Sequence, residues 1–329
     1  MVEQAEDEIA AVNMALGASF AGARAMTGTS GGGLALMAEG ISLAAMTETP
    51  IVIVDAQRPG PATGFPTRTE QADLMFVLHA GHGEFARVLF TPGDPQEAFD
   101  LTARAFDVAD RYQIPAFILT DQHLADSEYT GEAFDTSRVP CRDYTVGEEA
   151  GVSYKRYALT QNGVSPRAVP GRFTGVVYAD SDEHTEEGHI TESAGIRTAM
   201  VGKRLYRKME GLRSEVVPPV YGDIDGAELV LLGFGSTRGV IREAAESIGD
   251  RWVGYVHLPQ VWPFPADALM NLLANVRRVF TVENNAGAQL AGLLRRETGI
   301  TVQGSILQFN GRPFTVDDLA QRIRREGLI

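Results

Sequence analysis

Apolar and polar positions along this chain switch repeatedly between a helical and an extended period. Residues 6–20, EDEIAAVNMALGASF, set small and apolar side chains at helical spacing, with acids in the first turn where the helix dipole favours them. ARAMTGTS predicts a short buried strand running into a glycine turn, and GLALMAEGISLAAMT a second helix. TPIVIVDAQ is a β-branched apolar run ending in polar residues, the pattern of a strand covered on both faces. After a Pro/Gly-rich loop come ARVLFTP as strand, DPQEAFDLTARAFDVADRY as a capped amphipathic helix, and IPAFILTD as strand.

Consecutive βα units of this kind predict an α/β fold with a doubly wound parallel sheet. Ligands in such sheets bind beyond the carboxyl ends of the strands, which directs attention to the loops at 27–33 and 55–73. Residues 127–205 carry only short patterns and read as an irregular extension of a first domain covering 1–205. VGKRLYRKMEGLRSEV, 201–216, reads as a basic helix at the end of this region, and 206–222, which includes PPVYGD, is taken as a linker. A second α/β domain is expected over 223–329, from AELVLLGFGSTRGVIREAAESIG through GSILQFNGRPFT.

Composition narrows the function classes. The 329 residues carry a net charge of −14, with 26 Arg and 3 Lys, a poor match to nucleic acid. No apolar run reaches the length of a membrane span, and the acidic start, MVEQAEDEIAAV, is unlike a signal peptide, so a cytoplasmic protein without membrane contact is expected. Cys141 is the single cysteine, which leaves this chain unable to ligate an iron–sulfur cluster with its own thiols.

Several motifs leave more than one reading open. TSGGG is either a phosphate cradle or a plain strand–helix turn, and it lacks the Walker lysine. GFGSTRG, 233–239, follows a strand but is one residue off the dinucleotide spacing and has no ribose acid. The stretch 180–189, dense in Asp, Glu and His, is either a metal site through His184 and His189 or a solvated acidic loop. Glu8 is either favourable charge at a helix start or a carboxylate placed to share a proton with a ligand nitrogen. Arg58 is either a surface ion-pair partner or a bidentate grip on a carboxylate.

Taken in order, EDEIAAVNMALGASFAGARAMTGTSGGGLALMAEGISLAAMTETPIVIVDAQRPGPATGFPT, DPQEAFDLTARAFDVADRYQIPAFILTDQ, SDEHTEEGHITE and FNGRPFT resemble the α subunit of the 2-oxoacid:ferredoxin oxidoreductases, the 2-oxoglutarate type in particular. The resemblance covers nearly the whole chain. It implies a thiamine-diphosphate pyrimidine-binding domain followed by a transketolase C-terminal-like domain. A separate β subunit would carry the diphosphate with its Mg²⁺ and a [4Fe-4S] cluster. The implied reaction converts a 2-oxo acid and coenzyme A to an acyl-CoA, with electrons passing to ferredoxin. The resemblance implies that Glu8 bonds the pyrimidine N1′ nitrogen and that Thr29 and Ser30 line the cofactor. Arg58 would hold the substrate carboxylate in a pocket shaped by Thr63 and Gly64, and no metal is expected in this chain.

The family pattern normally begins earlier, with a strand and a Tyr-Pro-Ile-Thr-Pro loop absent here, so a shortened or fragmentary α chain is expected. The alternatives carried forward are a non-catalytic relative acting in assembly and a nucleotide-binding α/β enzyme using GFGSTRG.

Overall fold

A computed structural model describes residues 1–151, 153–249 and 252–325, and two largely parallel sheets organise it. In the first sheet β1 (Met26–Thr29), β2 (Ile51–Gln57), β3 (Val88–Phe90) and β4 (Pro115–Asp121) run parallel in the order β1-β2-β4-β3. One face is covered by α1 (Glu8–Phe20), α2 (Gly31–Leu36), α3 (Ala38–Met46) and α4 (Leu74–His79). The other face packs α5 (Pro95–Tyr112), and the short α6 (Gln122–Asp126) follows β4 directly. Cover on both faces explains the unbroken apolar runs of β2 and β4.

The caps match the local chemistry. Asp7 accepts from the Ala10 amide at 2.7 Å to start α1, and Asp94 accepts from the Glu97 amide at 2.8 Å with Pro95 in the first turn of α5. Two expectations need correction. The strand in ARAMTGTS is not buried: β1 is an edge strand bonded only to β2, and Met26 is 46% exposed. The helix in GLALMAEGISLAAMT is two helices, broken at Met37 with ψ −4°.

The extension after α6 contains a two-strand ribbon, β5 (Thr145–Val146) with β6 (Arg167–Ala168). It ends in one long helical run: α7 (Ala194–Val201), a π-helical turn over Gly202–Arg207, and α8 (Lys208–Arg213). Lys203, Arg204 and Lys208 of this run point inward, while Arg207 and Arg213 stay exposed. Lys203 and Lys208 reach the fully buried Glu48 at 2.7 and 2.6 Å, and Arg204 reaches Glu183 at 2.7 Å. Burial alone would raise the Glu48 carboxyl, but Lys208, Lys203 and Arg156 outweigh it and hold it well below the usual carboxylate range.

The second sheet contains β7 (Val220–Gly222), β8 (Leu229–Phe234), β9 (Val253–Leu258), then, beyond β10 (Gln260–Trp262), β11 (Arg278–Glu283) and β12 (Gly304–Leu307). Its order is β12-β11-β8-β9-β7, with β7 antiparallel at one edge. Helices α9 (Thr237–Ile248), α10 (Ala266–Leu273), α11 (Gln289–Thr298) and α12 (Val316–Arg325) flank it. Residues 206–222, expected as a linker, therefore hold α8 and an edge strand. The last four residues of the expected second domain, 326–329, lie outside the described ones.

The two sheets are not independent. Immediately after β9 the chain crosses over, and β10 pairs antiparallel with β3 of the first sheet. One continuous apolar cluster runs from Leu34, Ile53 and Leu74 to Phe234, Leu258 and Leu290. His257 and Glu97 meet across the boundary at 2.8 Å, and Arg238 reaches Glu97 at 2.9 Å. Such shared burial makes the pair of sheets one cooperative body.

Candidate functional site

The carboxyl ends of β1 and β2 open toward α1 and α2, and here the structure gathers the first group of expected residues. Thr29 ends β1, Ser30 caps α2, and Glu8 begins α1. Gly33 forms the floor between them. A Cβ at Gly33 would stand 2.0 Å from Thr29 Oγ1 and 2.6 Å from Glu8 Oε1, so only glycine lets the carboxylate and the hydroxyl close over the helix backbone. Thr29, Ser30 and Glu8 are all half-buried. The Ser30 side chain does not cap α2, while the Ser30 carbonyl accepts the Leu34 amide at 2.8 Å, leaving the hydroxyl available. The turn thus offers a carboxylate and two hydroxyls beside exposed backbone, without a lysine.

The second group lies on the loop after β2. Arg58 is half-buried, and its Nε is a buried donor with no hydrogen-bond partner among the described residues. The loop then folds back on itself. The Phe65 amide donates to the Pro59 carbonyl at 3.1 Å, and Gly64 takes a φ of +50° with its Cα close against Pro59. Thr63 and Gly64 sit exposed at its tip. Gly32 faces the Ala62 carbonyl, with a Cβ there 3.9 Å from that oxygen, which sets this loop against the 29–33 turn. The structure therefore brings both groups to one end of the first sheet.

Residues that sequence reasoning passed over complete the surroundings. Asp55 on β2 is opposite Thr29 in register and is fully buried. Its carboxyl is pushed well above the usual range by burial and by the charge of Asp73. Burial pushes Asp73 up to about 6, and Glu70 is raised by burial and by Asp73. Gln57 Oε1 accepts the Asp73 amide at 3.0 Å. Gln71, also fully buried, ties the far end of the loop to the second domain. Its Nε2 donates to the Phe234 carbonyl at 2.8 Å, and its Oε1 accepts the Asn284 amide at 3.1 Å. Its own amide donates to the Asn284 carbonyl at 2.6 Å. A carboxylate inside the apolar run IVIVDAQ was a legible signal for Asp55. Nothing local marks Gln71, because its partners lie over 160 residues away.

The remaining motifs resolve structurally. GFGSTRG is the β8–α9 turn, with Gly235 at φ +59° beside Gln71 Nε2. The 180–189 stretch is solvated in part, with Asp182, Glu187 and His189 exposed, and paired in part: Glu183 meets Arg197 and Arg204, and Glu186 and Glu187 meet Lys155. His184 is buried with its ring 3.9 Å from that of Tyr157, and its Nδ1 meets the Asp182 carbonyl at 2.9 Å. No group of three or more His, Cys, Asp or Glu placed to hold a metal occurs among the described residues. No helix among them is long and apolar enough to cross a membrane.

Comparison with known proteins gives this geometry a context. Residues 1–203 match the family described as pyruvate flavodoxin/ferredoxin oxidoreductase, thiamine diP-binding, and residues 227–319 match pyruvate:ferredoxin oxidoreductase core domain II. The chain belongs to the 2-oxoacid:ferredoxin oxidoreductase α-subunit family. Within that family it is 40% identical to the 2-oxoacid:ferredoxin oxidoreductase 1 subunit alpha of Sulfurisphaera tokodaii, over 98% of this chain and 52% of that protein. It is 30% identical to the 2-oxoglutarate synthase subunit KorA of Methanothermobacter marburgensis, over 97% of this chain and 85% of that one. Among solved structures, the 2-oxoglutarate:ferredoxin oxidoreductase of Magnetococcus marinus, with 2-oxoglutarate, coenzyme A and succinyl-CoA bound, superposes with a TM-score of 0.91 at 34% identity. That match covers 98% of this chain and 56% of that one. The chain thus spans about half the length of the first of these relatives and of the solved structure. The fold is that of the family, a thiamine-diphosphate-binding α/β domain followed by the core domain II.

Proposed function

We propose that this chain is the α subunit of a thiamine-diphosphate-dependent 2-oxoacid:ferredoxin oxidoreductase. It converts 2-oxoglutarate, or a related 2-oxo acid, with coenzyme A to the acyl-CoA and carbon dioxide, and two electrons leave to ferredoxin. It acts in the cytoplasm with a β subunit that supplies the diphosphate site, Mg²⁺ and a [4Fe-4S] cluster. The observation that carries this reading is the convergence of the Glu8 carboxylate and the Thr29 hydroxyl over Gly33.

These residues fit the aminopyrimidine half of the cofactor. The ring edge needs a group that shares a proton at one nitrogen and acceptors for an amino group, and the turn presents a carboxylate, two hydroxyls and close backbone. A diphosphate needs cations, and the turn has none, in keeping with assignment of that half to the partner. When bound, thiamine diphosphate supplies a carbon nucleophile for attack on the 2-oxo group. Glu8 holds the shared proton at its carboxylate and so sets the protonation state of the ring beside it. Thr29 and Ser30 orient that ring. Arg58, with its unpartnered Nε, receives the substrate carboxylate through a charge-assisted bond. Thr63 and Gly64 shape the mouth of the pocket.

The test is co-expression with a β subunit of this family. The assembled heteromer should reduce a viologen dye only when the 2-oxo acid and coenzyme A are both present. Stable assembly without any 2-oxo-acid-dependent reduction would overturn the reading and leave a structural subunit.

A further inference from the structure

Beneath the 29–31 turn lie three carboxylate oxygens with no hydrogen-bond partner among the described residues: both of Asp55 and Oδ2 of Asp73. Asp55 is 0% exposed. Its strand neighbours Ile53 and Gln57 lie on the same face, and Gln57 holds the Asp73 backbone through the Oε1 bond described above. That bond brings Asp73 over the strand end that carries Asp55. From there the Asp73 carboxyl reaches Gly31, the first residue of α2. A Cβ at Gly31 would stand 2.3 Å from Asp73 Oδ2 and 2.7 Å from Oδ1.

Two neighbouring carboxyl groups whose facing oxygens are buried and have no cation bonded to them do not both ionise readily. A single hydrogen placed between them turns one orphan acceptor into a donor and satisfies the other. We infer that Asp55 and Asp73 share one proton beneath the Thr29–Gly31 turn and act together as a positioning unit for that turn. Asp55 carries the proton at neutral pH, being the more deeply buried of the two, and Asp73 accepts from it while packing against Gly31. The pair is then a single negative charge behind the turn rather than two. Other charged and titratable groups on this end of the sheet include Glu70 before α4, Arg58 and Arg68 after β2, Asp121 at the end of β4, His123 on α6 and Glu8 on α1. Thr69 Oγ1 donates to Asp121 Oδ1 at 3.2 Å, while Asp121 Oδ2 is a further buried oxygen without a partner among the described residues. The bearing of the pair on catalysis rests on the function proposed above; the shared proton does not.

The experiment follows the aspartate carboxyl carbons by ¹³C NMR in the full chain labelled at that position, from pH 4 to 9. One aspartate is expected to keep the shift of the protonated acid at pH 7. Asp55→Asn removes that signal, and Asp73→Asn moves its midpoint down. Should Asp55→Asn fail to fold, Asp73→Asn, at a half-buried site, still reads the coupling. A wild-type chain with every aspartate ionised at pH 7, or an Asp55 titration unmoved by Asp73→Asn, overturns the shared proton. For the positioning role, thiamine diphosphate binding to the heteromer with β is measured by calorimetry. Asp73→Ala should weaken it about ten-fold, the scale of one lost hydrogen bond, and Asp73→Asn should restore it. Unchanged binding in Asp73→Ala with the NMR signature intact overturns the positioning role alone. Failure of the wild-type heteromer to bind the cofactor at all would instead overturn the proposed function.

Discussion

Replacing Gln71 by alanine removes a side chain that ties the Arg58 loop to the ends of two strands of the second domain. The side chain is fully buried and makes two bonds, to the Phe234 carbonyl at 2.8 Å and from the Asn284 amide at 3.1 Å. The Asn284 amide is left in the interior without that bond, and an unsatisfied buried group costs about 1–3 kcal/mol, while the Phe234 carbonyl keeps its bond from Thr237 Oγ1 and loses a second one worth about 1 kcal/mol. Some of that is recovered by relaxation and by the main-chain bonds of Gln71 that survive, including its amide to Asn284 and its carbonyl from Asn285. The expected loss is therefore about 2–4 kcal/mol. Urea unfolding of the purified chain, followed by fluorescence of Trp262 on β10 at the junction, reads it as a fall in midpoint at unchanged slope. Gln96→Ala, an exposed position whose side chain bonds only Asp100, is the control and should cost under about 0.5 kcal/mol. Hydrogen exchange should quicken over 58–73 in the Gln71 variant and not in the control. A Gln71 midpoint equal to that of Gln96→Ala would refute the claim that the second domain holds this loop through that residue.

Three further expectations follow from the same geometry. Glu48→Gln leaves two buried ammonium groups facing each other and should cost about 3–5 kcal/mol in urea unfolding; a loss below about 1 kcal/mol would show that the pairs are not formed. Asp73 is raised on folding from 3.8 to about 6, so the folded chain binds more protons than the unfolded one between those values, and its stability falls as pH rises through that window. The slope of unfolding free energy against pH there should flatten in Asp73→Asn, and a slope unchanged by that substitution would contradict the assignment. Arg58→Lys replaces a planar fork by a point charge and should raise the KM for the 2-oxo acid about ten-fold with a smaller change in kcat; an unchanged KM would place the substrate carboxylate elsewhere.

The first sheet was legible because its strands are covered on both faces, which leaves IVIVDAQ and IPAFILTD as unmistakable apolar runs. Glu8, Thr29, Ser30 and Arg58 stood out through the resemblance, and their convergence follows from a rule of parallel sheets, that loops at the strand carboxyl ends meet. What stayed hidden depends on partners far along the chain. VGKRLYRKMEGLRSEV reads only as a basic helix until Glu48, more than 150 residues earlier, is seen to take Lys203 and Lys208 into the core. The departure of β10 to the first sheet could not be read from QVWPF, since no local pattern distinguishes a strand that stays from one that crosses. Likewise β1 reads as buried from its composition, and only its place at the sheet edge exposes Met26.

The central claim is that Glu8 governs the protonation of a thiamine ring bound between this chain and its partner. The direct measurement compares wild-type and Glu8→Gln heteromers in 2-oxo-acid- and coenzyme A-dependent viologen reduction, with assembly checked by gel filtration. Glutamine keeps the shape of the side chain but not its capacity to hold the shared proton. Turnover is predicted to fall at least about a hundred-fold in an intact complex, the usual range for a lost proton-transfer group. Turnover within two-fold of wild type, on the order of measurement error against that range, would contradict the claim.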